Sequence, residues 1–259
     1  MTGIASSGLT PLENLFNLWM KRFSAPRFEG RVMVDVTVVL TFDDGPHAAR
    51  DPERNYTRQA LRTLNVNSVQ NGTKGVFFVQ THVPFRGGSQ TGQNVIEAVW
   101  AEGHVVGIHT GSTEDHVPHT QRGGQLREDL TNASRYLQNL GIASDFVRPV
   151  GGAVNEAVLA TYRSLGLKMV LWDIDSRDSH TGYGRNRISL WLAQEIARTI
   201  SAGKTELVVL FHELDRDTRG NIEHYMEVLR DAIRDAGHQA RFPTSRNDVM
   251  SVLNRYARG

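Results

Sequence analysis

Two adjacent carboxylates, Asp43 and Asp44, stand where a long apolar run over residues 32–40 gives way to a glycine and a proline. Such a run predicts a buried strand. In parallel α/β architectures, ligands and catalytic groups gather at the carboxyl ends of the strands. Because neighbouring carboxylates repel each other, a pair held at a strand end needs a compensating cation or proton. The two acids are therefore candidates for a metal site or for acid–base chemistry.

Four further apolar runs end in residue types that bind metals or transfer protons. In chain order these residues are His109, Arg148, then Asp173, Asp175 and Asp178, and finally His212. The carboxyl ends of parallel strands lie on one rim, so we expect these side chains to gather with the two acids. Polar strand ends built only for solubility would favour Lys and Glu over Asp, His and a single Arg. The pattern therefore predicts a catalytic bowl.

These residue types are sufficient for hydrolysis by an activated water. One carboxylate and two imidazoles can hold a zinc-type ion and leave positions for water and substrate. Such an ion lowers the pKa of its water toward about 7 and polarises a carbonyl oxygen. A second carboxylate can then accept the proton of that water, and Asp43 and Asp44 can divide the two tasks. The leaving group also needs a proton, which His212 is placed to donate.

The elements that must position these residues are βα units. Apolar runs alternate with amphipathic stretches and short Gly- or Pro-marked breaks, which is typical of a parallel sheet. We expect seven strands, near residues 32–42, 75–80, 104–109, 145–149, 167–173, 207–212 and 239–242. The clearest helical spacings are those of Leu126, Leu130, Leu137 and Leu140, and of Ile222, Tyr225, Met226, Leu229 and Ile233. The sequence predicts an α/β single domain, a closed or nearly closed parallel barrel ringed by helices, with an open doubly wound sheet as the alternative.

The composition favours a small or uncharged partner. Lys and Arg number 29 against 28 Asp and Glu in a chain of 259 residues, so no nucleic-acid tether or polybasic membrane anchor is indicated. The chain has no cysteine, which leaves any metal to His, Asp and Glu. No stretch approaches the roughly 20 apolar residues of a membrane span.

Residues 1–30 predict an amphipathic helix that packs on a barrel formed by residues 31–259. Thr10, Pro11 and Glu13 provide a cap, a first-turn proline and a capping-box acid. The apolar residues at helical spacing are Leu12, Leu15, Phe16, Trp19 and Phe23. Polar residues interrupt this segment, so we expect no signal peptide, and the compartment stays open between the cytoplasm and an exported form without its leader.

Together these residues resemble the NodB-like polysaccharide deacetylases, metal-dependent enzymes that remove acetyl groups from N-acetylglucosamine polymers or from acetylated xylan. The resemblance covers about residues 34–214. Five motifs are matched in the family's order, at Thr41–Pro46, His109–Thr110, Arg148–Gly152, Asp175–Asp178 and Leu210–His212. One such match would be weak, but five in sequence are strong. The resemblance implies a distorted seven-stranded (β/α) barrel, a divalent metal and an acetylated carbohydrate as substrate.

The resemblance also implies roles for individual residues. Asp43 corresponds to the general base and Asp44 to a metal ligand. Arg148 corresponds to the residue that orients Asp43. Asp178, the second acid of the Asp-x-x-Asp motif, would tune the catalytic histidine, and His212 would be the general acid.

The second histidine of the family's metal site is displaced in this chain. Family members usually place it four residues after the first, where this sequence has Thr113. The next histidine after His109 is His116, and seven helical residues would rise about 10.5 Å, too far for two imidazoles that are each about 2 Å from one ion. The intervening segment must therefore loop. We expect His109 and His116 to be metal ligands, with His119 as the alternative to His116 and direct ligation by residues 114–115 left open.

Other positions around the motifs also bear on the substrate. Gly151 stands where the family usually has a tyrosine, so only its backbone N–H remains to help stabilise the oxyanion. Leu210 is implied to contact the acetyl methyl group. Ser179 replaces the tryptophan that usually follows the Asp-x-x-Asp motif, which removes an aromatic wall from the sugar groove. Trp172 lies in an apolar run and is expected in the core. We therefore expect a substrate preference different from that of typical polymer deacetylases.

The sequence thus predicts a metal-dependent hydrolase that removes acetyl groups from a carbohydrate by cutting an amide or ester, not a peptide bond. Zinc is the expected metal, and cobalt, nickel and manganese are alternatives because availability matters as much as affinity at such sites. A rival within the enzyme class is a metal-independent C–N hydrolase similar to the allantoinase-like relatives. A rival outside it is a carbohydrate-binding pseudoenzyme, suggested by the displaced histidine and the missing aromatic wall.

Overall fold

A computed structural model of the protein describes residues 34–257. Its strands are β1 (Asp35–Gly45), β2 (Val76–Gln80), β3 (Val105–Thr110), β4 (Phe146–Val147), β5 (Lys168–Met169), β6 (Ile174–Asp175), β7 (Glu206–Phe211) and β8 (Gln239–Arg241). Its α-helices are α1 (Tyr56–Asn65), α2 (Gln90–Ala101), α3 (Gln125–Asn139), α4 (Glu156–Ser164), α5 (Gly184–Ser201), α6 (Ile222–Asp235) and α7 (Arg246–Tyr256). The helix predicted over residues 1–30 lies outside the described residues.

The sheet is parallel at every strand pair of the described residues. The hydrogen-bonded order is β5-β4-β3-β2-β1-β7-β6, and β8 pairs with the start of β1. β5 and β6 are the two ends of one extended segment, residues 168–175, which pairs with β4 at its beginning and with β7 at its end. This segment joins the two edges of the sheet. The predicted distorted seven-stranded barrel is confirmed. Of the strand predicted over residues 167–173, only β5 is formed, and a further short strand, β6, follows directly after those bounds.

Side chains of β1 alternate between two cores, as the period of a strand requires. Val38, Leu40 and Phe42 pack in a cluster shared with the surrounding helices, whereas Val39 belongs to a second cluster inside the barrel. Helix α7 contributes three residues to this inner cluster, namely Val249, Val252 and Leu253. Its strand partners lie near the beginnings of β2, β3 and β7, so α7 fills the amino-terminal end of the barrel and leaves the carboxyl ends of the strands open.

The helices pack their predicted apolar faces on the barrel. α3 buries the predicted residues Leu126, Leu130 and Leu137, and α6 buries its predicted stripe from Ile222 to Ile233. This burial confirms the helical spacings read from the sequence, except that Leu140 follows the last residue of α3 and is only partly buried. Within residues 34–257, no helix combines the length and the apolar content that a bilayer crossing would need.

Candidate active site

The turn at the end of β1 directs both adjacent acids into one cleft. The residues of β1 that face the barrel interior are Val39, Thr41 and Asp43, at intervals of two. Asp44 would ordinarily point to the opposite side. Its φ of 73° is in the left-handed region, and the register against β2 shifts between Asp43 and Gly45. Both carboxylates consequently line a cleft of about 510 Å³ at the carboxyl ends of the strands.

The structure brings all nine predicted site residues together. Seven of them line this cleft, namely Asp43, Asp44, His109, His116, Gly151, Leu210 and His212. The other two, Arg148 and Asp178, are buried and hydrogen-bonded to residues of the cleft. The parallel topology explains this convergence, because these residues lie at or follow the carboxyl ends of five strands, β1, β3, β4, β6 and β7.

Asp44 lies between two histidines and is the centre of the candidate metal site. Its Oδ1 is 3.2 Å from His109 Nε2, and its Oδ2 is 2.7 Å from His116 Nε2. The Nδ1 of His109 donates to the carbonyl of Arg148 at 2.9 Å, which directs Nε2 toward the cleft. Burial would raise the pKa of Asp44, but its contacts with His109 and His116 and the charges of the histidines outweigh burial and hold the pKa below its ordinary value.

The segment that carries His116 is a loop, as the ligand spacing requires. The backbone of His116 is in the left-handed region, with φ 58°, and its Nδ1 is 2.8 Å from Asp115 Oδ1. Glu114 pairs with Arg122 at 3.0 Å. Glu114 and Asp115, which the sequence left open as direct metal ligands, thus bind other side chains. The loop brings the imidazole of His116 back to Asp44.

His119 is turned away from the cleft. Its Nε2 donates to the carbonyl of His109 at 2.9 Å, and its Nδ1 is 2.5 Å from the hydroxyl of Tyr162. Its side chain is buried, and burial lowers its pKa to about 4. Both ring nitrogens of His119 therefore have protein partners, so the geometry favours His116 over His119 as the second imidazole beside Asp44.

Asp43 is oriented by a fully buried arginine. Arg148 donates from one nitrogen to Asp43 Oδ1 at 2.9 Å and to Thr41 Oγ1 at 2.7 Å. Its other nitrogens donate to the carbonyls of Val170 and Leu171. Burial lowers the pKa of Arg148 and the Asp43 carboxylate opposes that effect, so the guanidinium keeps its charge. Asp43 Oδ2 remains on the cleft side, 3.9 Å from the Nε2 of His109.

His212 is held in the opposite wall by Asp178. The Nδ1 of His212 donates to Asp178 Oδ1 at 2.8 Å, and its backbone N–H donates to Oδ2 at 2.7 Å. The hydroxyl of Thr218 donates to the same Oδ2. Burial lowers the pKa of His212, but the hydrogen bond and charge of Asp178 outweigh it and raise the pKa to about 10. A protonated Nε2 therefore faces the cleft, 3.9 Å from Asp44 Oδ2.

Trp172 is partly buried and packs on the inner hydrophobic cluster, as expected, but it also lines the cleft, which was not expected. Its ring lies beside Arg148, 5.6 Å from the guanidinium carbon. It also occupies the space where a Cβ on Gly152 would stand. Trp172 lies two residues after Val170, whose side chain faces the barrel interior. Because side chains two residues apart in a strand point to the same side, this spacing is the sequence signal that could have placed Trp172 on the inner side. An aromatic wall is therefore present, although Ser179 replaces the family's tryptophan.

Asp173 is not on the rim where the sequence pattern placed it. Its Oδ2 accepts the backbone N–H of Val208 at 2.9 Å, and its Oδ1 pairs with Lys204. Both partners lie toward the beginning of β7, because the extended segment crosses from one sheet edge to the other at this point. Asp173 therefore helps to close the barrel and is not part of the cleft.

Two groups of side chains deserve comparison as holders of a divalent ion. Asp178, His212 and Asp215 offer atoms that lie within 4.8 Å of one another, but both acids face the Nδ1 of His212, and Asp178 already accepts three hydrogen bonds. By contrast, Asp44 Oδ1 is buried, and within residues 34–257 its 3.2 Å contact with His109 Nε2 does not have hydrogen-bond geometry, so its hydrogen-bonding capacity is unsatisfied. Its carboxylate and the Nε2 atoms of His109 and His116 form the donor set that zinc-type ions prefer. The residues present therefore fit a metal at Asp44.

A sequence profile described as "Polysaccharide deacetylase" matches residues 32–170, which is more than half of the chain. The chain belongs to the polysaccharide deacetylase family. The match covers the first three of the five motifs recognised in the sequence, so the resemblance is confirmed.

Curated members of the family show moderate identity to this chain. The peptidoglycan-N-acetylglucosamine deacetylase of Listeria monocytogenes is 28% identical over 198 residues, which are 74% of this chain and 36% of that protein. A chitin deacetylase of a Pestalotiopsis species is 32% identical over 152 residues, which are 55% of this chain and 43% of that protein. The chain thus spans less than half the length of these two relatives.

Solved structures of the family share the fold. A family 4 carbohydrate esterase from Streptomyces lividans, in complex with acetate, has a TM-score of 0.60 and 23% identity, covering 81% of this chain and 99% of that chain. The chitin deacetylase of Colletotrichum lindemuthianum has a TM-score of 0.61 and 21% identity, covering 81% and 86%. A mutant of a family pseudoenzyme with restored activity has a TM-score of 0.56 and 16% identity, covering 80% and 65%. The same fold thus occurs in enzymes and in a pseudoenzyme, so activity must be argued from side chains.

Proposed function

We propose that this protein is a metal-dependent deacetylase that hydrolyses the acetamide or acetyl ester of an acetylated carbohydrate. The observation that carries the proposal is the combination of an oriented carboxylate, Asp43, and a protonated imidazole, His212, in one cleft with Asp44 and its two histidines. The names of the relatives, which are peptidoglycan and chitin deacetylases, support the choice of an acetylated sugar.

Asp44, His109 and His116 are the residues that would hold the metal. Bound there, a divalent ion supplies polarisation of the acetyl carbonyl and lowers the pKa of a water molecule toward about 7. Zinc is our first choice for a site of one carboxylate and two imidazoles, with cobalt, nickel and manganese as alternatives.

Asp43 is the proposed general base. Arg148 engages its Oδ1, so Oδ2 is the oxygen left to accept a proton from the attacking water. The remaining hydroxide adds to the acetyl carbon. Because the guanidinium is fully buried and held by four acceptors, it fixes the carboxylate in one orientation.

His212 is the proposed general acid. As the bond between the acetyl carbon and the sugar nitrogen or oxygen breaks, Nε2 of His212 donates its proton to that leaving atom. Asp178 holds Nδ1 and stabilises the protonated form. The backbone N–H of Gly151 is the proposed oxyanion donor, and Leu210 is the proposed contact for the acetyl methyl group; both line the cleft.

Acetate release from N-acetylglucosamine oligomers tests this function directly. We expect release by the zinc-loaded protein, loss of release after chelation and recovery on adding zinc back. Asp43→Asn should keep the metal and lower kcat by about 10²- to 10⁴-fold, the usual contribution of a general base.

The same assay separates the rivals. Release that persists after thorough chelation would favour the metal-independent C–N hydrolase. Oligomer binding by the wild type without any acetate release, unchanged in Asp43→Asn, would favour a carbohydrate-binding pseudoenzyme.

A further inference from the structure

Arg86 lines the cleft but has no place in the mechanism above. It lies on the loop between β2 and α2. Its Nε is buried without a hydrogen-bond partner, and the guanidinium forms no ion pair within residues 34–257. The guanidinium carbon of Arg86 lies over the ring of Phe85, 5.0 Å from the ring centroid. Arg86 therefore forms no ion pair with the carboxylates that line the same cleft, which are Asp43, Asp44 and Asp215.

The backbone of Arg86 is fixed even though its head group is unpaired. Its carbonyl accepts both the backbone N–H and the hydroxyl of Ser89, at 3.1 and 2.8 Å, where the first turn of α2 begins. A Cβ on Gly92 would overlap this carbonyl, so a glycine is needed for the loop to pack on the helix. The hydroxyl of Tyr136 donates to the next carbonyl, that of Gly87, at 2.7 Å. The loop thus presents the cation from a held position, which reduces the entropy lost when a ligand binds.

A second unpaired arginine adds to the positive charge on this side of the site. The Nε of Arg219 is also buried without a partner among the residues described, and its guanidinium lies over the ring of Tyr56 at 4.2 Å. Burial lowers the pKa of His47, and the charges of Arg86 and Arg219 lower it further, so both cations lie near this imidazole. The margin beside the β1 turn therefore carries two cations. Asp215 lies near Arg219, whose charge opposes the effect of burial on the pKa of that carboxyl group, whereas Arg86 forms no ion pair among the described residues.

We propose that Arg86 binds a carboxylate carried by the acetylated sugar chain, so that the preferred substrate is an acidic acetylated glycan. This inference rests on the proposed deacetylase function and specifies its substrate. A planar guanidinium binds a carboxylate through two parallel hydrogen bonds, a geometry that a neutral hydroxyl cannot reproduce. A neutral sugar would leave the partly buried cation without a counter-charge when the cleft is filled.

The test uses two probes that differ in the charge of their lactyl groups. One is a β-1,4-linked tetrasaccharide of alternating N-acetylglucosamine and N-acetylmuramic acid with free lactyl carboxylates, and the other is its methyl ester. We expect wild-type kcat/KM to be about 10- to 100-fold higher for the acid, the range that corresponds to hydrogen bonds to charged groups. Arg86→Gln should bring this ratio close to one, and Arg86→Lys should leave an intermediate ratio because it keeps the charge but loses the planar fork.

Arg135→Gln is the matched control, since it removes the same charge from an exposed position on α3. It should keep the wild-type ratio. A wild-type ratio near one, or an unchanged ratio in Arg86→Gln with wild-type thermal unfolding, overturns this inference and leaves the deacetylase function standing.

Calorimetric measurement of the affinity for the same two probes shows whether the deacetylase function or the carboxylate binding by Arg86 has failed. If neither probe releases acetate, the proposed function fails. Arg86 is then judged by affinity: tighter binding of the acid, lost in Arg86→Gln, supports the carboxylate site, and equal binding of acid and ester rejects it.

Discussion

At the scale of single residues, the site depends on side chains that use one polar atom to bind a buried partner and present a second polar atom to the cleft. Arg148 engages one oxygen of Asp43, and Asp178 engages one nitrogen of His212. In both cases the second atom faces the cleft. Sequence reasoning could place these residues because strand ends and family motifs specify them. It could not place Arg86, because a loop has no periodicity from which the direction of a side chain can be read.

The dependence of His212 on Asp178 predicts a shift in the pH profile. Asp178 provides the hydrogen bond and the nearest charge that raise the pKa of His212, whereas burial lowers it. In Asp178→Asn we therefore expect the pKa to fall by at least about one unit. The alkaline limb of kcat, where His212 loses its proton, should move to lower pH.

Measuring kcat for acetate release between pH 5 and about 11 checks this shift. Asp35→Asn is the control, because Asp35 is exposed at the opposite end of β1. An alkaline limb at the same pH in wild type and Asp178→Asn would contradict the assignment of His212 as the acid.

At the scale of elements, the loop after β3 decides which histidine reaches Asp44. A Cβ on Gly111 would overlap the carbonyl oxygen of Asp129 in α3, so the chain leaves β3 in close contact with that helix. Arg122 joins this loop to the helix by pairing with Glu114 and Asp129. The sequence predicted that the segment must loop, since a helix would be too long. Its path depends on contacts with α3 that are distant in sequence and could not be predicted.

Gly111→Ala tests the role of this contact. The added methyl group must push the loop away from α3, and overpacking of this kind costs about 1–3 kcal/mol in the free energy of unfolding. Because the loop carries His116, we also expect weaker zinc binding in a competitive chelator titration.

Gly124→Ala is the matched control. Gly124 has φ −64°, and nothing lies within 4 Å of the Cβ it would gain. It should change stability and zinc affinity little. Equal zinc affinity in wild type and Gly111→Ala would show that the contact does not position His116.

At the scale of the whole molecule, the extended segment over residues 168–175 completes the barrel. Its early part bonds to β4 through the N–H of Val170, and its later part bonds to β7 through the N–H of Asp173, at 2.9 and 2.8 Å. This crossing also brings Asp178 against His212. Apolar patterning predicted one strand here. It could not predict two short strands, because the break arises from pairing with two different edges of the sheet.

Asp173→Ala should weaken the closure of the barrel. The substitution leaves the N–H of Val208 without its side-chain acceptor, and an unsatisfied buried donor costs about 1–3 kcal/mol. We expect this loss in the free energy of unfolding by urea, with acetate release per folded molecule retained.

Lys204→Ala removes the other side of the Asp173 ion pair and is the control. The lysine side chain is half-exposed, so we expect a loss of about 0–1 kcal/mol. If Lys204→Ala destabilised the protein as much as Asp173→Ala, the surface ion pair would account for the effect and the buried hydrogen bond would not.

The most direct test of the account is the metal content of His116→Ala compared with His119→Ala, measured by elemental analysis after dialysis against zinc. We predict about one zinc per chain in the wild type. His119→Ala should retain this zinc with a lower melting temperature, because His119 is buried against Tyr162, and His116→Ala should lose it while staying folded. Full zinc content in His116→Ala, or loss of zinc from folded His119→Ala, would contradict the proposed site.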